Sequence, residues 1–433
     1  MDTKGIINTL KIRDDNAPLA LEQFESDEVK FSICGSAPPS WLPVGEKSEI
    51  TLSDLRSGVE PWLTSLFQSE HLSLLTGTGL SIAVEWLATK SVTATMKKPN
   101  LDTKYAQLVD ISADTIARRN NRGEANIEDY IRIITELIRG LEILGYDTSD
   151  DENETEAYNK LDGCLKKLIS DFADSISNIE NGIANASETQ RESAFAYLVN
   201  FLMSFASRTG TRERLNIFTT NYDRLIEAGS ELAGLHLLDR FVGALTPIFR
   251  SSRLDIDLHY NPPGIRGEPR YLEGVARFTK LHGSIDWVNT GLDIRRIGLP
   301  FGSKNIESFL NAPGLQGVDI RKVMVYPNSA KDRETTEYPY VELFRDFAAS
   351  VCRPNSTLVT YGYGFGDEHI NRIIRDMLTI PSTHLVVISC PILRMSKSKF
   401  SLSDATAVFN VKFQRLWCKI KTESDVNPKR SRC

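Results

Sequence analysis

Four segments of this chain end an apolar run in glycine and polar residues: LSLLTGTGLS at 72–81, LNIFTTNYDRL at 215–225, FTKLHGSIDW at 278–287 and LVTYGYGFGDEHIN at 358–371. Three start as the continuous apolar stretch that a strand covered on both faces requires, and the HGS segment starts from the weaker strand-like ARFTKL. Few folds use such an ending four times. An open parallel sheet does, because its strand ends and the loops after them line one crevice. The pattern therefore predicts an α/β chain: a Rossmann-like parallel sheet with helices on both faces and one site assembled from separate strand ends.

The rest of the chain divides around these segments. Residues 1–55 mix short apolar stretches with turn formers such as SAPPSWLP at 36–43, and read as an N-terminal arm without a core of its own. Residues 56–100 and 211–418 hold the sheet segments, 101–210 read as an all-helical insertion, and 419–433 as a flexible tail. Within the insertion, Ile127, Tyr130, Ile131, Ile134, Leu137, Ile138 and Leu141 recur at helical spacing behind Asn126 as N-cap, with Gly145 after the last turn. Leu161, Leu165, Leu168, Phe172, Ile176 and Ile179 stripe a second helix. A third starts at Ser187 with Gln190 at capping-box spacing and buries Leu198, Phe201, Leu202 and Phe205. Further strands are expected at Leu215–Thr219, Arg277–Leu281, Val323–Tyr326, Thr357–Tyr361 and His384–Ser389, with long loops over the site at 249–270 and 290–320.

Composition narrows the function classes. A net charge of −6 over 433 residues argues against direct nucleic-acid binding. The six cysteines (Cys34, Cys164, Cys352, Cys390, Cys418, Cys433) lack metal or disulfide spacing, as expected of reduced thiols. The N-terminus has no apolar signal core, and no 18-residue apolar run occurs. The expectation is a soluble cytoplasmic protein without a membrane partner.

Gly77-Thr78-Gly79-Leu80-Ser81 opens a helix after a strand, where glycines admit a pyrophosphate to the backbone, the helix start offers N–H groups, and Ser81 adds a hydroxyl. An empty strand–helix turn would read the same, and no Lys follows the glycine as in a P-loop. Thr219-Thr220-Asn221-Tyr222-Asp223 ends a strand: Asp223 either caps the helix after it or fixes the loop or the nicotinamide end, and Asn221 suits a ribose hydroxyl or a water. His282-Gly283-Ser284 places a histidine beside a glycine at a strand end, where its ring can face a crevice and move a proton. His71, His236, His259 and His384 have no such setting, and His369 lies on the helix beyond the last glycines. Gly362-Tyr363-Gly364-Phe365-Gly366 is a second glycine-rich ending. Two such turns with a His and an Asn fit a dinucleotide. C-x₂-C, H-E-x-x-H and G-x-S-x-G are all absent.

In this order the segments resemble the sirtuin family. Gly77-Thr78-Gly79-Leu80-Ser81 resembles its G-A-G-x-S phosphate loop, Asn221 and Asp223 its N-x-D pair, His282-Gly283 its catalytic H-G, and Gly362-Tyr363-Gly364 falls where sirtuins carry G-T-S. The resemblance covers about 70–90 and 211–390. It implies NAD+ as substrate, Asn221 and His282 as catalytic residues, and Gly77, Thr78, Gly79, Ser81, Thr220, Asp223, Gly362, Tyr363 and Gly364 as NAD-binding residues. No cysteine lies between His282 and Cys352, where protein-deacylating sirtuins carry a Cys₄ zinc ribbon, so no zinc or other metal is expected. Ser81 also runs on as IAVEWLATK instead of the Pro-x-Phe-Arg of those enzymes. The TTNYD, KLHGS and YGYGFGDEHIN wording is similar to the bacterial antiphage NADase branch, of the type encoded beside a HerA-like motor ATPase. That resemblance implies NAD+ cleavage to nicotinamide and ADP-ribose, a homo-oligomer and a HerA-like ATPase partner. NAD-dependent protein deacylation and a non-catalytic nucleotide-sensing subunit stay open as alternatives.

Overall fold

The computed structural model describes residues 6–389, except 13–14, 16–17, 25–29, 35–37, 43–48, 94–97, 120–123, 253–256, 261–269, 304–306 and 316–337. The strand expected at Val323–Tyr326, the tail 419–433, part of both long loops, and Cys390, Cys418 and Cys433 lie outside the described residues.

Six strands form one parallel sheet: β1 (His71–Thr76), β2 (Asn216–Thr219), β3 (His236–Leu238), β4 (Val275–Lys280), β5 (Ser356–Tyr361) and β6 (His384–Ile388). Their order is β6-β5-β1-β2-β4-β3. Because successive side chains alternate across the sheet, each central strand feeds two cores. Leu74, Ile217, Phe278 and Val359 face one core, and Leu75, Phe218, Leu281 and Leu358 face the other. The first core is closed by α2 (Thr78–Thr89), α6 (Glu188–Ala206) and α7 (Leu225–Ala233). The second is closed by α8 (Tyr340–Val351) and α9 (Glu368–Met377). The Rossmann-like architecture, with helices on both faces, is thus present.

The described part of 101–210 holds four helices, and they serve two structures. Helices α3 (Ala106–Arg119), α4 (Ile127–Ile143) and most of α5 (Glu152–Ala184) share a core with Tyr222, Ile285, Val288, Ile297 and Leu299, from the segments that follow β2 and β4. The end of α5, through Ile179 and Ile183, and α6 pack instead in the sheet's first core. Asn126 caps α4 and Gly145 takes φ +80 behind it, both as expected. The capping box at Ser187 does not form: its hydroxyl donates to Gln190 Oε1 at 2.8 Å, and no backbone N–H caps on it.

The N-terminal segment corrects the expectation of a coreless arm. Strands Ile6–Leu10, Leu19–Phe24, Lys30–Cys34 and Ile50–Thr51 form an antiparallel sheet, and Leu19, Leu21, Phe31, Leu42 and Ile50 are buried together. It leads through α1 (Leu52–Phe67) into β1. Among the described residues no helix is long and apolar enough to cross a membrane.

Candidate functional site

Chain order changes direction at β1: β2 lies on one side of it and β5 on the other. Such a switch point, at the carboxyl ends of parallel strands, is where an open sheet leaves a crevice. The last paired row runs Ile388–Tyr361–Thr76–Thr219–Lys280. One position beyond it stand Gly362, Gly77, Thr220 and Leu281, and two positions beyond stand Tyr363, Thr78, Asn221 and His282. The four segments therefore end at one level of one edge.

The two glycine turns meet each other. Gly77 N–H donates to Tyr361 O and Gly79 N–H to Gly362 O, both at 3.0 Å. A Cβ on Gly79 would stand 2.6 Å from Gly362 Cα, and Gly362 itself holds φ +61. Close approach of turn to turn is thus a reason for these glycines that the sequence does not display. Gly364 differs, since a Cβ there would meet nothing within 4 Å. A side chain at Gly362 combines a left-handed backbone (about 1–2 kcal/mol) with overpacking (about 1–3 kcal/mol). Gly362→Ala is therefore expected to lower unfolding free energy by about 2–5 kcal/mol in denaturant titration. Gly364→Ala should leave stability within about 1 kcal/mol.

Asn221 is locked by its own amide. Nδ2 donates to Gly77 O at 2.9 Å and to Ser81 Oγ at 2.8 Å, and Ser81 Oγ in turn donates to Asp223 Oδ2. With both N–H bonds taken, the acceptor Oδ1 is the free end, and it is buried without a hydrogen-bond partner among the described residues. Ser81, expected to offer its hydroxyl to a phosphate, instead links Asn221 to Asp223. Asp223 Oδ1 also accepts the Leu225 N–H at 3.2 Å, bracing the loop before α7, although the N-cap position itself is Arg224 and not Asp223 as expected.

His282 is 6% exposed, and its Nε2 is likewise buried without a partner. Its ring lies 6.3 Å from that of Tyr222 and 5.7 Å from that of His369. His369, to which the sequence assigns no role, is thus a neighbour of His282. The signal it carried is its place in the first turn of a helix that opens directly off a glycine strand end. Tyr363 turns its ring into the second core, where burial pushes its hydroxyl pKa well up, so only its backbone is offered to a ligand. Thr78 is exposed and Thr220 partly so, and Thr220 N–H donates to Thr76 O at 3.1 Å. Phe365 takes φ 50 without being glycine, and Asn371 Nδ2 holds its carbonyl at 3.0 Å.

The insertion grips the same loop from behind. Glu180 of α5 accepts the Arg224 N–H at 2.8 Å and pairs with its guanidinium, which also donates to Leu299 O and Pro300 O. Tyr222 Oη donates to Glu128 Oε1 of α4 at 3.0 Å. Burial pushes the Glu180 carboxyl up despite the opposing pull of Arg224, and burial likewise raises Glu227 against Lys280. Neither contact was legible in the sequence.

The fold is an α/β domain whose glycine turns and polar strand ends meet at its switch point, where an open sheet generally leaves a crevice. Residues 215–403 match the family model described as a SIR2-like domain, a domain type that uses NAD+. No curated protein matches the chain. β1 and its glycine turn lie outside the matched stretch, yet β1 pairs with β2 and β5, so the sheet is completed from the N-terminal side of the insertion.

Proposed function

We propose that the chain is an NAD+ glycohydrolase, cleaving NAD+ to nicotinamide and ADP-ribose. One observation carries this reading: Asn221 Oδ1 and His282 Nε2, two buried polar atoms without partners among the described residues, stand at the same level beyond adjacent strands, beside two glycine turns. A buried polar atom left unpaired costs about 1–3 kcal/mol, which a ligand in the crevice would relieve.

The chemistry follows from these groups. The bond from ribose to nicotinamide breaks with its electron pair going to the nicotinamide nitrogen, leaving positive charge on the sugar carbon. The negative end of the Asn221 amide, fixed by Gly77 and Ser81, favours that charge and holds the attacking water. His282 takes the water's proton as the new C–O bond forms. The glycine turns at 77–79 and 362–364 receive the phosphates and adenosine, and Asp223 holds the loop that presents Asn221. In keeping with the antiphage branch that its motifs resemble, the chain would deplete NAD+ in an infected cell as an oligomer with a HerA-like ATPase.

The acceptor is tested by measuring nicotinamide release with and without an acyl-lysine peptide. Release that does not need the peptide supports hydrolysis. Release only in its presence assigns the site to deacylation instead.

A further inference from the structure

We propose that Lys280 is a positioning residue for this reaction: its ammonium ties the loop carrying Asn221 to the turn carrying His282 and so sets their spacing. The inference rests on the NAD+ reading above. Lys280 is the last residue of β4, and its side chain is 1% exposed. Removing an ammonium from water is costly unless each proton finds an acceptor. Here the acceptors are Asp223 O, Tyr222 O at 3.5 Å and Glu227 Oε1 at 3.1 Å. Two of the three are carbonyls of the residues directly after Asn221.

The same Tyr222 carbonyl also accepts Ser284 Oγ at 3.2 Å and Ile285 N–H at 3.1 Å. Donors from both sides of His282, two residues before it and two and three after it, thus converge on one oxygen next to Asn221. An apolar side chain would fill the position without a charge to compensate. A lysine there is explained by what it holds.

Lys280→Met alone would strand Glu227 and lower stability, so the decisive variant is K280M/E227Q, which removes both charges and keeps the volume. Its melting temperature is expected to stay near that of E227Q, while kcat for NAD+ falls about 10²-fold, the scale of a misplacement of about 1 Å. KM should change by less than about threefold, and the Ile285 amide should exchange its hydrogen faster than in E227Q. A double variant with the kcat of E227Q and unchanged Ile285 protection overturns the proposal and leaves Lys280 as a counter-charge for Glu227. Should the unmodified protein cleave no NAD+, the glycohydrolase reading fails, and the Ile285 exchange rate still decides whether Lys280 holds the loop.

Discussion

His282→Ala is expected to lower NAD+ cleavage by about 10²–10⁴-fold, the range that a positioned general base contributes. Its effect on hydrogen bonding should be small, because Nε2 has no partner among the described residues. Asn221→Ala is expected to be equally inactive but to melt lower. It removes two donors and leaves Gly77 O and Ser81 Oγ to find others, a loss of about 1–2 kcal/mol. The difference between the variants separates chemistry from support: similar turnover losses with unequal melting temperatures are predicted. Turnover of NAD+ at the unmodified rate in both variants removes these residues from the mechanism.

The largest expected effect on stability lies outside the crevice, at Glu180. Truncation to alanine leaves the Arg224 guanidinium buried with only the Leu299 and Pro300 carbonyls. Breaking one side of a buried pair costs about 3–5 kcal/mol, which calorimetry or denaturant titration would read directly. Cleavage should fall as well, since Glu180 also accepts the N–H of Arg224, next in the chain after Asp223. Glu180→Gln tests the electrostatics separately. Burial holds this carboxyl above its ordinary range, so the folded state binds the proton more tightly than the unfolded chain. The stability this contributes is complete below the ordinary carboxylate value and is lost as pH rises through the raised one. The glutamine variant, fixed in the neutral form, should lack that part of the decline.

These two predictions mark what was and was not legible in the sequence. β1, β2 and β5 could be read because strands covered on both faces favour apolar residues, as in LSLL, NIF and TLVTY, and the edge strand β6 from its apolar run LVVI. That Asn221 and His282 stand at one level of one sheet edge could be read from the strand-like stretches LNIFT and ARFTKL that precede them. The edge strand β3, three residues long, and the short antiparallel strands Trp287–Asn289 and Ile294–Arg296 give no periodic signal. The sequence also could not show that Gly77 and Gly79 pack on Gly362, since that contact joins residues almost three hundred positions apart. The insertion's grip was hidden for the same reason. Glu180 and Arg224 are 44 residues apart, and nothing local marks Glu180 as anything but one more acidic residue on a long helix. Partners chosen by tertiary packing leave no trace in spacing.

The central claim is that an amide and an imidazole deliver water to the sugar carbon that loses nicotinamide. The most direct measurement is to incubate the full chain with NAD+ in ¹⁸O-labelled water, with and without a HerA-like ATPase, and to analyse the products by mass spectrometry. The account predicts nicotinamide and ADP-ribose in equal amounts, with one heavy oxygen in each ADP-ribose. NAD+ recovered intact under both conditions, or nicotinamide released with an unlabelled sugar product, would contradict it.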